Sequence, residues 1–113
     1  MPKLPLRALP LLQGSLDLLV LGALTSGATH GYGVATLVRD RSGGALEVED
    51  AALYQALHRL ERKGQVAARW GVSDNNRRAR FYELTADGRK RLRADAANWR
   101  RYAQAVSAVL EGV

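Results

Sequence analysis

The fold is decided by residues 50–84, which read DAALYQALHRLERKGQVAARWGVSDNNRRARFYEL. After Asp50, which we expect to cap a helix, apolar residues recur at helical spacing until Gly64 marks the end. The residues predicted to face the core are Leu53, Ala56, Leu57 and Leu60. In 65–84, two runs that alternate between apolar and polar residues flank turn-forming residues at 71–76, and Val66, Ala68 and Trp70 share one side of the first run. This pattern predicts a β-hairpin with a polar tip.

Two further helices are predicted before this stretch. The first begins after Ser15, a predicted N-cap, and has a helical repeat of apolar residues. Its predicted inward residues are Leu16, Leu19, Val20, Ala23 and Leu24. Leu18 and Leu21 would lie on other faces, which suggests a second partner such as another subunit. The second helix is expected at 31–41, and the short segment 46–48 is a strand at most.

One long helix is predicted after the hairpin. Thr85 is its expected cap, Asp87 suits its first turn, and no breaker follows Gly88 until Gly112. It would be about 35–40 Å long. The fold class is therefore mainly α with a small β-hairpin (α+β), in the order of a winged helix-turn-helix. We divide the chain into a loose N-terminal arm (1–12), a winged helix-turn-helix DNA-binding domain (13–84) and a C-terminal dimerisation helix (85–113).

The composition restricts the available functions. With 113 residues, 47% hydrophobic and 25% charged, the chain suits one globular domain. It has no cysteine and two histidines, which excludes disulfides and thiolate zinc sites and leaves no credible metal site. We find no serine–histidine–aspartate set and no phosphate-binding glycine loop, so we expect neither an enzyme nor a cofactor. The net charge of +6 and the excess of arginine favour a polyanionic partner.

No membrane association or export is expected. Asp17 interrupts the N-terminal apolar stretch, and no clear cleavage site follows it. The longest uncharged run, 18–38, contains several glycines and hydroxyl residues and is too polar to span a bilayer. We therefore expect a cytoplasmic protein.

The positive charge is concentrated in residues 59–101, which hold thirteen basic and five acidic residues. In the last helix this excess fits a solvated face as well as a binding surface. In the hairpin, arginines crowd a tight turn, where they repel one another unless an anion is present. We expect these residues to contact phosphates or the minor groove. They are Asn75, Asn76, Arg77, Arg78 and Arg80.

The exposed side of the third helix is the predicted DNA-reading surface. Ala51 and Ala52 keep its first turn slim, so that the helix can approach base edges. The side chains opposite the core are Gln55, His58, Arg59 and Arg62. Gln55 can pair with adenine, and Arg59 with guanine or a phosphate. The alternative for Arg59 is an ion pair with an acidic neighbour, and the alternative for His58 is a pH sensor.

The last helix carries a heptad-like apolar seam, whose members step by four and three residues. They are Leu92, Ala96, Trp99, Ala103, Val106 and Leu110. Because a terminal helix has no neighbour in its own chain along most of its length, we expect a symmetric homodimer to bury this seam.

Three segments in order, HGYG (30–33), LYQALHRLERKG (53–64) and NRRARFYELTADG (76–88), resemble the PadR family of bacterial transcriptional regulators. The resemblance implies a small member of the family with a single C-terminal helix. We therefore expect a homodimeric winged-helix repressor that binds a palindromic operator. The resemblance also implies backbone contacts by Tyr32 and Tyr54, for which core packing is the alternative. Trp99 would line a slot for a hydrophobic or aromatic effector; its alternative is interface packing. The chain departs from the family at Ala51 and Gln55, so the operator sequence cannot be transferred.

A different class of function also fits the charge pattern. The basic helix and hairpin could serve a protein- or RNA-binding adaptor without operator specificity. Competition between RNA and duplex DNA would separate this reading from a gene regulator.

Overall fold

The computed structural model describes residues 9–113 and confirms the predicted α+β class. The helices are α1 (Leu16–Ala23), α2 (Gly31–Arg41), α3 (Asp50–Arg62) and α4 (Ala86–Val109), with a 3₁₀ turn at Leu24–Ser26. The strands are β1 (Thr29–His30), β2 (Val66–Val72) and β3 (Arg78–Leu84). Most of the arm predicted at 1–12 lies outside the described residues, and 9–12 have no regular secondary structure.

The sheet has three antiparallel strands in the order β1-β3-β2. The predicted hairpin is present, with Val66 opposite Leu84 and Val72 opposite Arg78. The strand β1 was not predicted, because two residues carry no period. The strand considered at 46–48 is absent; this segment is a loop whose apolar side chains pack partly against the core.

The core lies between α1, α2, α3 and the hairpin. Its fully buried large side chains are Val20, Leu21, Leu24, Val34, Leu53, Leu57, Leu60, Val66 and Tyr82. The prediction that Leu21 faces a second subunit is wrong, since it has no exposed surface within its own protomer. The buried residues of α1 are Asp17, Val20, Leu21 and Ala23, and Leu24 directly after it is also buried, whereas Leu16 and Leu19 are half-buried. Val20, Ala23 and Leu24 are therefore buried as predicted. The prediction missed Leu21 and placed Leu16 and Leu19 too deep, because apolar residues occupy most sides of α1 and the period alone does not choose among them.

The ends of the helices follow side-chain chemistry. Thr85 caps α4 as predicted, its hydroxyl accepting a hydrogen bond from the Gly88 amide at 3.0 Å. His30 caps α2 through Nδ1, which accepts from the Gly33 amide at 3.1 Å. Ser15 precedes α1 but does not cap it through its side chain. Asp50 was predicted to cap α3, but it is the first helical residue, and the N-cap position is occupied by Glu49.

The first turn of α4 packs closely against the end of the hairpin. A Cβ atom at Gly88 would lie 1.9 Å from the Gln65 carbonyl oxygen, so only glycine fits there. The Thr85 hydroxyl also donates to the Gly64 carbonyl at 2.6 Å. Farther along, α4 packs against α1 and then continues as an exposed helix beyond the domain.

Candidate nucleic-acid interface

The tip of the hairpin is a hydrogen-bonded turn that presents polar and basic side chains. The Ser73 amide donates to the Arg77 carbonyl at 2.8 Å, and the Asn76 amide donates to the Ser73 carbonyl at 2.9 Å. Asn76 has a φ of 57°, a left-handed conformation that asparagine tolerates better than most residues. Asn75, Asn76 and Arg77 are exposed, as expected for a contact surface.

Trp70 forms the exposed aromatic surface of the wing. The residue is 59% exposed, and the Arg78 guanidinium carbon lies 4.5 Å from the ring centroid. This cation–π contact holds the arginine against the strand with its charge still accessible. Sequence reasoning placed Trp70 on the same side as the core residues Val66 and Ala68 and missed this role. The sequence did contain one indication of this role, because Trp70 lies in a predicted strand whose hairpin partner is rich in arginine.

A cleft of about 480 Å³ separates the wing from the N-terminal turns of α2 and α3. It is lined by His30, Gly31, Tyr32, Tyr54, Trp70, Ser73, Arg77, Arg78, Ala79 and Arg80. Tyr32 is 74% exposed, so core packing does not explain it. A Cβ atom at Gly31 would lie 2.8 Å from the Tyr54 hydroxyl oxygen, so glycine there allows the Tyr54 ring to cover the start of α2.

The exposed face of α3 matches most of the predicted reading surface. Ala51, Tyr54, Gln55, His58 and Arg62 are exposed, and Ala52 is half-buried. Arg59 is the exception, because its side chain points toward α1. Its Nη2 donates to Asp17 Oδ1 at 2.5 Å. Arg59 therefore forms the ion pair with an acidic residue that was the alternative to a DNA contact.

Arg80 also differs from its predicted position. It lies at the base of the wing, where Nη2 donates to Glu61 Oε2 at 2.7 Å. Its buried Nε has no hydrogen-bond partner in the described part of the chain. The predicted wing arginines therefore fall into two groups: Arg77 and Arg78 are exposed, and Arg80 is paired with a carboxylate.

Asp17 accepts hydrogen bonds from two arginines at the junction of three helices. Besides Arg59 on α3, Arg91 on α4 donates from Nη2 to Asp17 Oδ2 at 3.3 Å. Burial by itself raises the pKa of Asp17, but the hydrogen bonds and charges of Arg59 and Arg91 outweigh burial and lower that pKa. The same contact with Asp17 raises the pKa of Arg59. Asp17 is therefore ionised at neutral pH.

A second surface of the protein is an apolar groove of about 800 Å³ between α1, α2, α4 and residues 9–12. The predicted interface residues Leu18, Leu92, Ala96 and Trp99 all line it. Of the remaining seam residues, Ala103 and Val106 lie farther along α4 and Leu110 directly follows it, and none of the three lines the groove. Leu21 lies in the core instead.

Neither a metal site nor a membrane segment is found in residues 9–113. That part of the chain holds no group of three histidine or acidic side chains placed to bind a metal ion. Its helices are all too short or too polar to cross a bilayer.

Comparison with known proteins agrees with this geometry. The family model described as "Transcriptional regulator PadR-like family" matches residues 20–94. A PadR family transcription regulator from hypervirulent Clostridium difficile R20291 is 26% identical with a TM-score of 0.74, covering 86% of this chain and 99% of that chain. A PadR family transcriptional regulator from Eggerthella lenta DSM 2243 is 28% identical with a TM-score of 0.74, covering 89% and 86%.

One structure with a similar fold contains DNA. Bacillus subtilis PadR in complex with operator DNA has 23% identity and a TM-score of 0.62, covering 70% of this chain and 45% of that chain.

Proposed function

From the premise that this chain belongs to the PadR-like family of transcriptional regulators, we propose that it is a homodimeric repressor of a palindromic operator. It is a transcription regulator and not an enzyme, as the family is. The observation that carries the proposal is the cleft in which the exposed turns of α2 and α3 meet the exposed arginines of the wing. The protein can then contact both the bases and the phosphate backbone of one duplex.

In this proposal α3 enters the major groove. Gln55, His58 and Arg62 face the base edges, and Gln55 matches the adenine donor and acceptor pair. The slim turn at Ala51 and Ala52 brings the helix close to the bases.

The wing and the cleft bind the DNA backbone. Arg77 and Arg78 supply charge to phosphates, and the hydroxyls of Tyr32 and Tyr54 supply hydrogen bonds. Trp70 packs its exposed ring against a deoxyribose, next to the arginine that it orients. Asn75 and Asn76 extend the same contact at the wing tip. Arg59 and Arg80 support this surface through their ion pairs and do not take a phosphate each.

The homodimer is supported by the apolar groove and by the exposed continuation of α4. Val106 and Leu110 are 39% and 55% exposed at the spacing of a helix seam. A second copy related by a two-fold axis would lay this part of α4 against Leu18, Leu92 and the groove of its partner. The same axis would place two α3 helices about 34 Å apart, in successive major grooves.

We also propose that a hydrophobic small molecule, bound in the apolar groove, regulates DNA binding. In the homodimer the partner's α4 would cover part of the groove of about 800 Å³, and the space that remains beside the aromatic wall of Trp99 would take a small molecule. The dimer would have two conformations, which differ in the distance between its two α3 helices. An aromatic compound that binds better to the conformation that does not fit the operator would release the DNA.

The proposal is tested by selecting bound duplexes from a random pool. We expect a winning sequence with dyad symmetry, and a log–log salt slope of about −5 to −7 if each protomer neutralises three or four phosphates. A slope near zero on the selected duplex would rule out the repressor. Equal affinity for unrelated RNA would favour the adaptor, the alternative function of this basic surface.

The effector is tested by tryptophan fluorescence, because the chain holds only two tryptophans, Trp70 in the cleft and Trp99 in the apolar groove. In a Trp70→Phe protein, planar aromatic compounds should quench Trp99. In a Trp99→Phe protein the same compounds should leave Trp70 unchanged. Absence of quenching across a panel of such compounds leaves Trp99 as a packing residue.

A further inference from the structure

The carboxylate of Asp17 joins three helices through charged hydrogen bonds. Its side chain is only 11% exposed. Arg59 approaches it from α3 through Nη2, at 2.5 Å from Oδ1, and Nε, at 3.4 Å from Oδ2. Arg91 approaches it from α4, at 3.3 Å from Oδ2. One side chain of α1 thus bonds both to α3, the proposed recognition helix, and to the long C-terminal helix α4.

Arg91 extends the cluster into the start of the hairpin. Its Nη1 donates to Gln65 Oε1 at 2.6 Å, and its Nε donates to Asp95 Oδ2 at 3.1 Å. Three nitrogens of one planar guanidinium therefore have three different partners. The bond to Asp95 stays within α4, whereas the bonds to Asp17 and Gln65 leave it. Because the guanidinium is rigid, these two outward bonds restrain both the distance and the rotation of α4 relative to the domain.

Stability alone does not account for such a cluster. Apolar residues of similar size usually stabilise a partly buried site as well as an ion pair does, whereas charged hydrogen bonds require a defined geometry. Elsewhere, α1 meets both α3 and α4 through apolar side chains, which tolerate small sliding movements. The directional contacts at Asp17 restrict that sliding.

We propose that Asp17 is a positioning residue that fixes the orientation of α3 relative to α4. This inference rests on the proposed function as a homodimeric repressor. In such a dimer, the orientation of α3 relative to α4 determines which separation of two operator half-sites the protein accepts. One added base pair rotates a half-site by about one-tenth of a turn, so a small freedom of α3 changes the tolerated spacing.

The first test needs no DNA and uses the cysteine-free chain. Spin labels on Lys63→Cys and Gln104→Cys, both exposed, report the distance between the end of α3 and α4. Labelled protein is diluted with unlabelled protein so that only distances within a protomer are measured. Asp17→Asn should broaden the distance distribution on the order of twofold, because the rigid network is lost.

The matched control is Asp95→Asn, which removes another carboxylate bonded to Arg91 but only within α4. It should leave the distribution as narrow as in the parent protein. Arg91→Gln, which cuts the link to α4 and leaves Asp17 paired with Arg59, is the second variant. It should broaden the distribution as Asp17→Asn does, and it decides the matter if Asp17→Asn fails to fold.

The second test uses operators whose half-sites are moved apart or together by one or two base pairs. The parent protein should prefer one spacing, and Asp17→Asn should lower that preference on the order of tenfold while thermal unfolding confirms a folded protein. An unchanged distance distribution together with an unchanged spacing preference overturns the role of Asp17 and leaves the repressor intact. A parent protein that prefers no duplex overturns the repressor, while the distance measurement still reports on Asp17.

Discussion

The basic face of this protein carries two kinds of arginine, which differ in whether a carboxylate already neutralises them. Arg59 and Arg80 each donate to an acidic side chain, whereas Arg78 stacks on Trp70 and keeps its charge accessible. A phosphate gains most from a guanidinium whose charge is still available. The two kinds should therefore respond differently to substitution.

For Arg78→Ala, we expect weaker binding to every duplex alike and a log–log salt slope smaller in magnitude by about one per protomer. For Gln55→Ala, we expect a loss of about 1–3 kcal/mol at the preferred operator and little change on a scrambled duplex. Fluorescence anisotropy at several salt concentrations measures both. Arg39→Ala, an exposed arginine outside the cleft, is the matched control. An unchanged slope in Arg78→Ala would show that Arg78 does not neutralise a phosphate.

Asp17 makes stability depend on pH in one direction. Its folded pKa lies below the ordinary value of 3.8, so the unfolded chain binds this proton more readily. The contribution of Asp17 is therefore complete above that ordinary value and is lost as the pH falls through the folded pKa.

At neutral pH, Asp17→Asn should lower the free energy of unfolding by about 1.5–3 kcal/mol, the range for hydrogen bonds to a charged group. The difference from the parent protein should shrink as the pH falls below 3.8. Urea denaturation at neutral pH and at about pH 3 measures both values. Asp95→Asn, whose carboxylate is more exposed, should cost less than about 0.5 kcal/mol. An equal difference at the two pH values would contradict the proposed linkage.

At the scale of elements, the start of α4 depends on a single hydroxyl. Thr85 accepts from the Gly88 amide and donates to the Gly64 carbonyl, so it joins the helix to the turn after α3. Thr85→Ala should lower the free energy of unfolding by about 1–2 kcal/mol, because one cap and one side-chain bond are lost. Thr85→Ser keeps both hydrogen bonds and should recover most of this loss in the same urea titration. Equal stabilities of the two variants would mean that the hydroxyl contributes nothing.

The elements that the sequence predicts are those with a clear period. The helix α3 and the hairpin repeat every 3.6 and every two residues, and their bounds are close to the prediction. The strand β1 has two residues and forms only because β3 lies beside it. The buried face of α1 was predicted only in part, because apolar residues occupy most of its sides and packing decides that Leu21 is buried while Leu16 and Leu19 are only half-buried.

The candidate site shows the same limit. Exposed residues of α3 and the wing tip follow from spacing and turn chemistry. The partner of Arg59 lies 42 residues away in sequence, so it depends on how α1 and α3 pack. Alternation places Trp70 on the same side of the strand as the buried Val66, but it does not show that the core ends before Trp70.

At the scale of the whole molecule, the outer half of α4 should hold two copies together. Placing a charge at the centre of the apolar seam with Val106→Asp should give a monomer, since an unpaired carboxylate would be buried in the dimer. Far-UV circular dichroism should stay unchanged, because Val106 packs outside the core of its own chain. Ser107→Asp adds the same charge at the neighbouring exposed position and should remain dimeric in analytical ultracentrifugation. A dimeric Val106→Asp protein would place the interface elsewhere.

If the groove and the reading surface are coupled through the dimer, their ligands must affect each other equally. An aromatic compound that lowers operator affinity by a given factor must itself bind the operator complex more weakly by the same factor, because the coupling free energy is shared. Trp99 fluorescence in a Trp70→Phe protein measures the compound's affinity with and without saturating operator. Anisotropy of a labelled operator, with and without saturating compound, gives the other factor. We expect both factors to fall within about 5–150. Compound affinity that is independent of the operator would mean that occupation of the groove does not move the recognition helices.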